Sequence, residues 1–198
     1  MARRLCGLTP GFTILELLFV LAIAGTLTTI AVSQSLRALD DFRARSAARY
    51  LAQRLGDARL GAIKQSLAHG LRFEAGTPDY RITSVIDGNA NGLRTSDIQS
   101  GVDRTMTPAE ALATHFQDVV FGILDGVPDA DGQPANGSDG VRVGVSRLLT
   151  MNPDGTSSSG TLYLHGRTRA QYAVRVLGVT GRVRILKFDH TRRRWMDQ

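Results

Sequence analysis

Pro10-Gly11-Phe12-Thr13-Ile14-Leu15-Glu16-Leu17-Leu18 opens an apolar run that continues to Val32. Phe12 to Val32 is 21 residues, and Glu16 is the only charge among them. As a helix rising about 1.5 Å per residue, the run is roughly 31 Å long, which matches a bilayer's hydrocarbon core. Arg3 and Arg4 precede it, and residues 1–11 contain no acid. The positive-inside rule then keeps the N-terminus in the cytoplasm and sends the rest of the chain outward. A secretory signal peptide would have a shorter apolar core ending in small residues at a cleavage site. An acid inside the membrane is costly and usually has a task. The plainer alternative places Glu16 at the membrane interface near the helix start. The single cysteine, Cys6, precedes the run. It excludes an intrachain disulfide, and a lipoprotein cysteine would follow its hydrophobic segment instead.

Helical periodicity extends beyond the apolar run. Ala44, Ala47, Leu51, Leu55, Ala58 and Ala62 recur at spacings of three and four. Arg43, Arg45, Arg49, Arg54, Arg59 and Lys64 lie on the other side, which reads as a solvated face before it reads as a binding site. Asp41 and Arg45 form a favourable i,i+4 pair. The spacing predicts one helix from about Phe12 to His69, ended by Gly70, with His69 at its C-terminus. No proline interrupts Phe12 to Gly76. Gly25, with Thr26, Thr28 and Thr29, is the local weak point.

After Gly70 the pattern alternates. Strands are predicted over Leu71–Glu74, Tyr80–Asp87, Val119–Leu124, Val141–Thr150, Thr161–Leu164, Tyr172–Leu177 and Arg182–Phe188. Turns fall at 76–79, 125–140 and 152–160. A short helix is predicted over Pro108–Phe116, capped by Thr107. The expected fold class is α+β, a long N-terminal helix on a mostly antiparallel β domain. The expected divisions are a leader over 1–11, a helix over 12–69 that is transmembrane at about 12–32, and a β-rich body over 70–198.

The net charge of +6 conceals an asymmetry. Residues 73–140 hold 3 Arg and 11 acids, whereas 141–198 hold 10 Arg, 1 Lys and 3 Asp. The basic end is therefore an arginine surface, suited to forked contacts with phosphate or carboxylate.

The opening stretch resembles the cleavage and methylation signal of type IV prepilins and type II secretion pseudopilins. That resemblance implies cutting by prepilin peptidase between Gly11 and Phe12 and methylation of Phe12. It also implies a role for Glu16 in assembly, pairing with the amino terminus of a neighbouring pilin or pseudopilin subunit. A buried carboxylate needs such a cation. The layout resembles the GspH and FimT family. The residues that carry this likeness are Thr161-Leu162-Tyr163-Leu164, Tyr172-Ala173-Val174-Arg175-Val176 and Gly178-Val179-Thr180-Gly181-Arg182-Val183-Arg184. The chain runs on to Arg192-Arg193-Arg194-Trp195, beyond the family's common pattern. The resemblance implies a non-enzymatic minor pseudopilin with a single inner-membrane span and a periplasmic body in a pilus-like fibre. The alternative is a type IV minor pilin that binds DNA for uptake through Arg182 and Arg184.

Arg182 and Arg184 are two apart on a predicted strand and so leave the same face, with Val183 and Ile185 on the other. Arg192, Arg193 and Arg194 would add charge, and Trp195 a stacking surface for nucleic acid. The competing readings are blunting of an exposed strand edge and docking onto acidic loops of neighbouring subunits. A second candidate runs from Asp87 to Asp97. Asp87, Asn89, Asn91 and Thr95, with Asp97 nearby, offer oxygens at alternate positions and Gly92 stands sixth, as in Ca²⁺ loops. Ile98 stands where that loop needs Glu, so a tight turn is the favoured reading. No cofactor is expected otherwise. His69, His115, His165 and His190 lack metal-ligand spacing, and no catalytic constellation is apparent.

Overall fold

The computed structural model describes residues 11–77, 79–135 and 139–198. Arg3, Arg4, Cys6, Pro10 and the rest of residues 1–10 lie outside the described residues, as does Pro78 of the predicted 76–79 turn.

Thr13 begins the first helix. Its hydroxyl oxygen accepts the Glu16 N–H at 3.2 Å, half of a Thr-x-x-Glu capping box. Helix α1 then runs Ile14–Gln65, 52 residues without a break. Gly25 does not break it. Thr26, Thr28 and Thr29 donate their hydroxyls to the carbonyls of Ile23, Ala24 and Gly25 at 2.7–3.0 Å, so each of these hydroxyls has a partner within the helix itself.

The chain divides into two compact units, one ending at Ala38 and one spanning Leu39–Gln198. The first is a bare apolar helix. Phe12, Ile14, Leu15 and Phe19 are each at least 69% exposed. It is long and apolar enough to cross a membrane, with a mean hydropathy of 2.2 over its best window.

The second unit takes in the latter part of α1. The reason is burial: Ala44, Ala47, Ala48, Leu51, Leu55 and Ala62 belong to the core of the body. Small alanines let the strands approach the helix closely, and the leucines fill the space between. The helix also stops earlier than predicted. Ser66 takes a left-handed φ of 53° just after Gln65, and His69 and Gly70 open a strand. Gly70 is needed for contact, since a Cβ there would lie 2.6 Å from the Leu149 carbonyl oxygen.

Two antiparallel sheets complete the body. The first has strands β1 (His69–Glu74), β2 (Arg81–Ile86), β3 (Arg104–Thr105), β4 (Glu110–Ala111) and β7 (Leu148–Met151). Its order is β3-β2-β1-β7, with β4 also paired to β2. The second has β5 (Val120–Phe121), β6 (Val141–Arg142), β8 (Gly160–His165), β9 (Gln171–Leu177), β10 (Arg182–Asp189) and β11 (Arg194–Asp197). Its order is β11-β10-β9-β8-β5, with β6 on β8. The expected α+β class, with a long helix packed on antiparallel sheets, is the observed one.

Several local expectations change. Pro108–Phe116 is not a helix. Glu110–Ala111 pairs with β2, and only Leu112–Thr114 makes a 3₁₀ turn. The Thr107 hydroxyl, expected to cap a helix, instead accepts the Ser84 N–H at 3.1 Å. A short helix α2 forms at Thr95–Ser100, closed by Gly101 at φ 79°. Val141–Thr150 is two strands, since Gly144 (φ 75°) and Arg147 (φ 49°) turn the chain between β6 and β7.

The second sheet has two used faces. Leu162, Leu164, Tyr172, Val174 and Val176 face the core that holds α1. On the opposite face, Tyr163, Ala173 and Phe188 form a smaller core with Ile123 and Val127, which follow β5.

Candidate functional site

Three arrangements follow from the predicted residues. The first is the start of α1. Gly11 and Phe12 are exposed, and a Cβ at Gly11 would meet nothing within 4 Å. Glu16 lies in the first helical turn, where a carboxylate is stabilised by the helix dipole. Among the described residues no cation pairs with it. The acid is held at the third position of a helix capped by Thr13.

The second is the basic end, which the structure splits in two. Arg182 opens β10, while Arg192 and Arg193 lie in the turn that follows it and Arg194 opens β11. Seven residues of strand, roughly 23 Å, separate these groups. Arg182 and Arg184 do share a face, with Val183 and Ile185 packed on the core side. Arg184 lies opposite Arg175 of β9 in the strand register. It is not free, because Asp197 from the C-terminal extension takes its Nε at 3.0 Å and its Nη2 as well. That pair raises the guanidinium pKa and lowers the carboxyl pKa. Arg182 remains exposed.

Trp195 is not a stacking platform. It is half-buried, its ring lies 5.4–5.7 Å from those of Phe188 and Tyr163, and its Nε1–H donates to the Pro128 carbonyl at 3.0 Å. The extension beyond the Gly-Arg-Val-Arg motif therefore adds an edge strand and neutralises one arginine of that motif.

The helical basic face is also not simply solvated. Arg43 meets Asp118 at 3.3 Å, Arg54 pairs with Glu110 and bonds Ser84, and Arg59 donates to the Gly181 carbonyl. Arg49 and Lys64 do stay exposed. The long stems of these arginines let charge leave the apolar stripe and grip the sheets beside it.

The acidic and basic halves meet inside the chain. Arg142 reaches Asp129 at 3.0 Å, Arg175 reaches Asp131 at 2.8 Å, and Arg147 reaches Asp139 at 3.0 Å. Asp129, Asp131, Arg142 and Arg175 line an open cleft of about 270 Å³ on the outer face of the second sheet. Sequence reasoning missed these partners because each pair joins residues separated by a loop or by one to three strands. The opposite charge of the two halves was the only signal.

The third arrangement is the Asp87–Asp97 loop. The Asp87 carboxylate accepts the amides of Asn89, Ala90 and Gly92 at 2.7–3.0 Å. Asp97 accepts the side-chain amides of Asn89 and Asn91 and the Ser96 hydroxyl, which lower its pKa. Asp103 accepts the amides of Gly88 and Arg94. The Asp87 and Asp103 oxygens are thus taken by backbone amides, and those of Asp97 by neighbouring side chains. Among the described residues no group of three or more His, Cys, Asp or Glu is placed to hold a metal.

No protein-family model matches the chain, and no curated protein gives a significant match. Among solved structures, the minor pseudopilin EpsH from the type 2 secretion system of Vibrio cholerae is similar in fold at 19% identity. The TM-score is 0.45, with 73% of this chain and 97% of that one covered.

Proposed function

We propose that the chain is a minor pseudopilin of the type II secretion system, with no enzymatic activity of its own. In this reading prepilin peptidase cuts between Gly11 and Phe12, and Phe12–Val32 anchors the subunit in the inner membrane. The body lies in the periplasm, and the subunit joins other pseudopilins in a pilus-like fibre. The observation that carries the reading is the start of α1. A Gly-Phe junction stands exposed one residue before a Thr13-capped helix whose only apolar-segment charge is Glu16. Glu16 would pair with the Phe12 amino group of a neighbouring subunit, which meets the need of a membrane carboxylate for a cation.

Mass spectrometry of the chain co-expressed with prepilin peptidase tests this. The expected mature protein begins at N-methylated Phe12. A mature chain that begins beyond Val32 would overturn the reading. Glu16→Ala should leave cleavage intact and remove the subunit from isolated fibres.

The second reading, a type IV minor pilin that takes up DNA, is favoured by one observation. Arg182 is exposed beside the Gly178–Gly181 turn, the end of the second sheet that meets Arg59 late in α1. If it holds, Arg182→Ala should weaken duplex binding about uniformly across sequences and reduce the salt slope by about one.

A further inference from the structure

The opposite end of the second sheet gathers five arginines. Arg167 and Arg169 lie in the turn between β8 and β9, Arg192 and Arg193 lie in the turn between β10 and β11, and Arg194 follows. All five are exposed. The two turns are joined, because His190 Nε2 lies 2.7 Å from the Arg169 carbonyl oxygen. The first turn is also tied to α1. Asp40 accepts the amides of Arg167 and Thr168 at 2.6 and 3.0 Å, and the Thr168 hydroxyl at 2.6 Å.

The acids at this end are already engaged. Asp40 holds the turn, and Asp41 pairs with Lys187 at 2.7 Å. Asp189 accepts the amides of Thr191 and Arg192 and meets the Arg192 guanidinium at 3.6 Å. Among the described residues no carboxylate lies within ion-pair distance of Arg167, Arg169, Arg193 or Arg194. The patch is thus a net positive surface made of forked donors, which fit phosphate oxygens.

Its position along the chain names the partner. Asp40 follows Val32 by eight residues of chain. We propose that this arginine end docks on anionic phospholipid headgroups of the bilayer that anchors the chain. The inference rests on the membrane anchoring of Phe12–Val32 and not on the choice between secretion and DNA uptake. Nucleic acid is the rival partner. Lipid is favoured because the tether keeps the headgroups at high effective concentration and because Trp195, the aromatic nearest the patch in sequence, is turned into the smaller core.

The test is amide hydrogen exchange on the full chain in nanodiscs of phosphatidylcholine, alone or mixed with phosphatidylglycerol. The amides of 167–169 and 191–193 should exchange several-fold more slowly in the anionic discs, and high salt should remove the difference. Each of Arg167→Gln, Arg169→Gln and Arg193→Gln should reduce the headgroup affinity about fivefold. Arg104→Gln, on the first sheet, should leave it unchanged. Equal exchange in both discs overturns the proposal. So does protection in phosphatidylcholine discs by duplex DNA or inorganic phosphate that matches the phosphatidylglycerol effect. A chain that enters neither disc overturns the anchoring itself, which is a separate result.

Discussion

Asp40 illustrates what one side chain contributes. Burial works against its charge, yet the hydroxyl and amide of Thr168 and the amide of Arg167 hold its pKa below the ordinary value. Its stabilising effect is present above the unfolded carboxyl pKa and is lost as pH falls through the lower folded one. Asp40→Ala should destabilise the body by about 1–3 kcal/mol at neutral pH and weaken the acid dependence, read by urea denaturation in detergent. Gly70 is constrained from the other side. Ala at that position would place a methyl 2.6 Å from the Leu149 carbonyl oxygen, so Gly70→Ala should cost roughly 1–3 kcal/mol. Neither role is visible in the sequence. Asp40 reads as one acid of a pair on a helix, and Gly70 reads as a helix stop, because Thr168 and Leu149, which set their roles, lie more than 75 positions away.

At the scale of elements, β11 and β5 are the informative ones. β11 exists because Trp195 finds a pocket between Tyr163 and Phe188 and a carbonyl for its indole N–H. Trp195→Ala should lower stability by roughly 2–4 kcal/mol and release the C-terminal strand, which faster exchange of its amides would report. The strand β5 is held by buried Asp79, whose carboxylate accepts the amides of Phe121 at 3.0 Å and Tyr80 at 2.7 Å. Burial raises the Asp79 pKa to about 6, against the lowering effects of the Phe121 amide and nearby His165. The unfolded carboxyl ionises first as pH rises from about 4 to 6, so stability falls across that window by at most about 3 kcal/mol. Asp79→Asn should flatten that part of the pH–stability curve. If the slope persists in the variant, Asp79 is not its source. The main strands were legible from alternation, and the helix from its spacing. Short strands such as β4 were not, since two residues carry no period and only the β2 edge selects them.

For the whole molecule, charge is the organising quantity. The sequence places acids in one half of the body and arginines in the other, an arrangement equally suited to contact between subunits. Folding joins several of them within one chain, through Asp129, Asp131 and Asp139, while Asp197 of the basic half itself takes Arg184. In the basic half, Arg182 at one end of the second sheet and Arg167, Arg169, Arg193 and Arg194 at the other stay exposed with no carboxylate at ion-pair distance among the described residues. Removing the Asp197 carboxylate should therefore free a second arginine, Arg184, beside Arg182. Asp197→Ala is expected to strengthen binding of a polyanion such as heparin to that end, measured by salt elution. Unchanged elution would mean that Arg184 finds another partner.

The sequence by itself determined the apolar helix, the Gly11-Phe12 pair with Glu16 four residues on, and the α+β order of elements. Those features rest on local spacing and on the free energy of apolar transfer, which adjacent residues fix. Only the tertiary structure decided which arginines stay free and where the body begins along α1. It also decided that Trp195 is core and that the Asp87 oxygens are turned onto their own loop. Each of those outcomes depends on a partner brought near by strand pairing across tens of residues, and no local pattern specifies that partner.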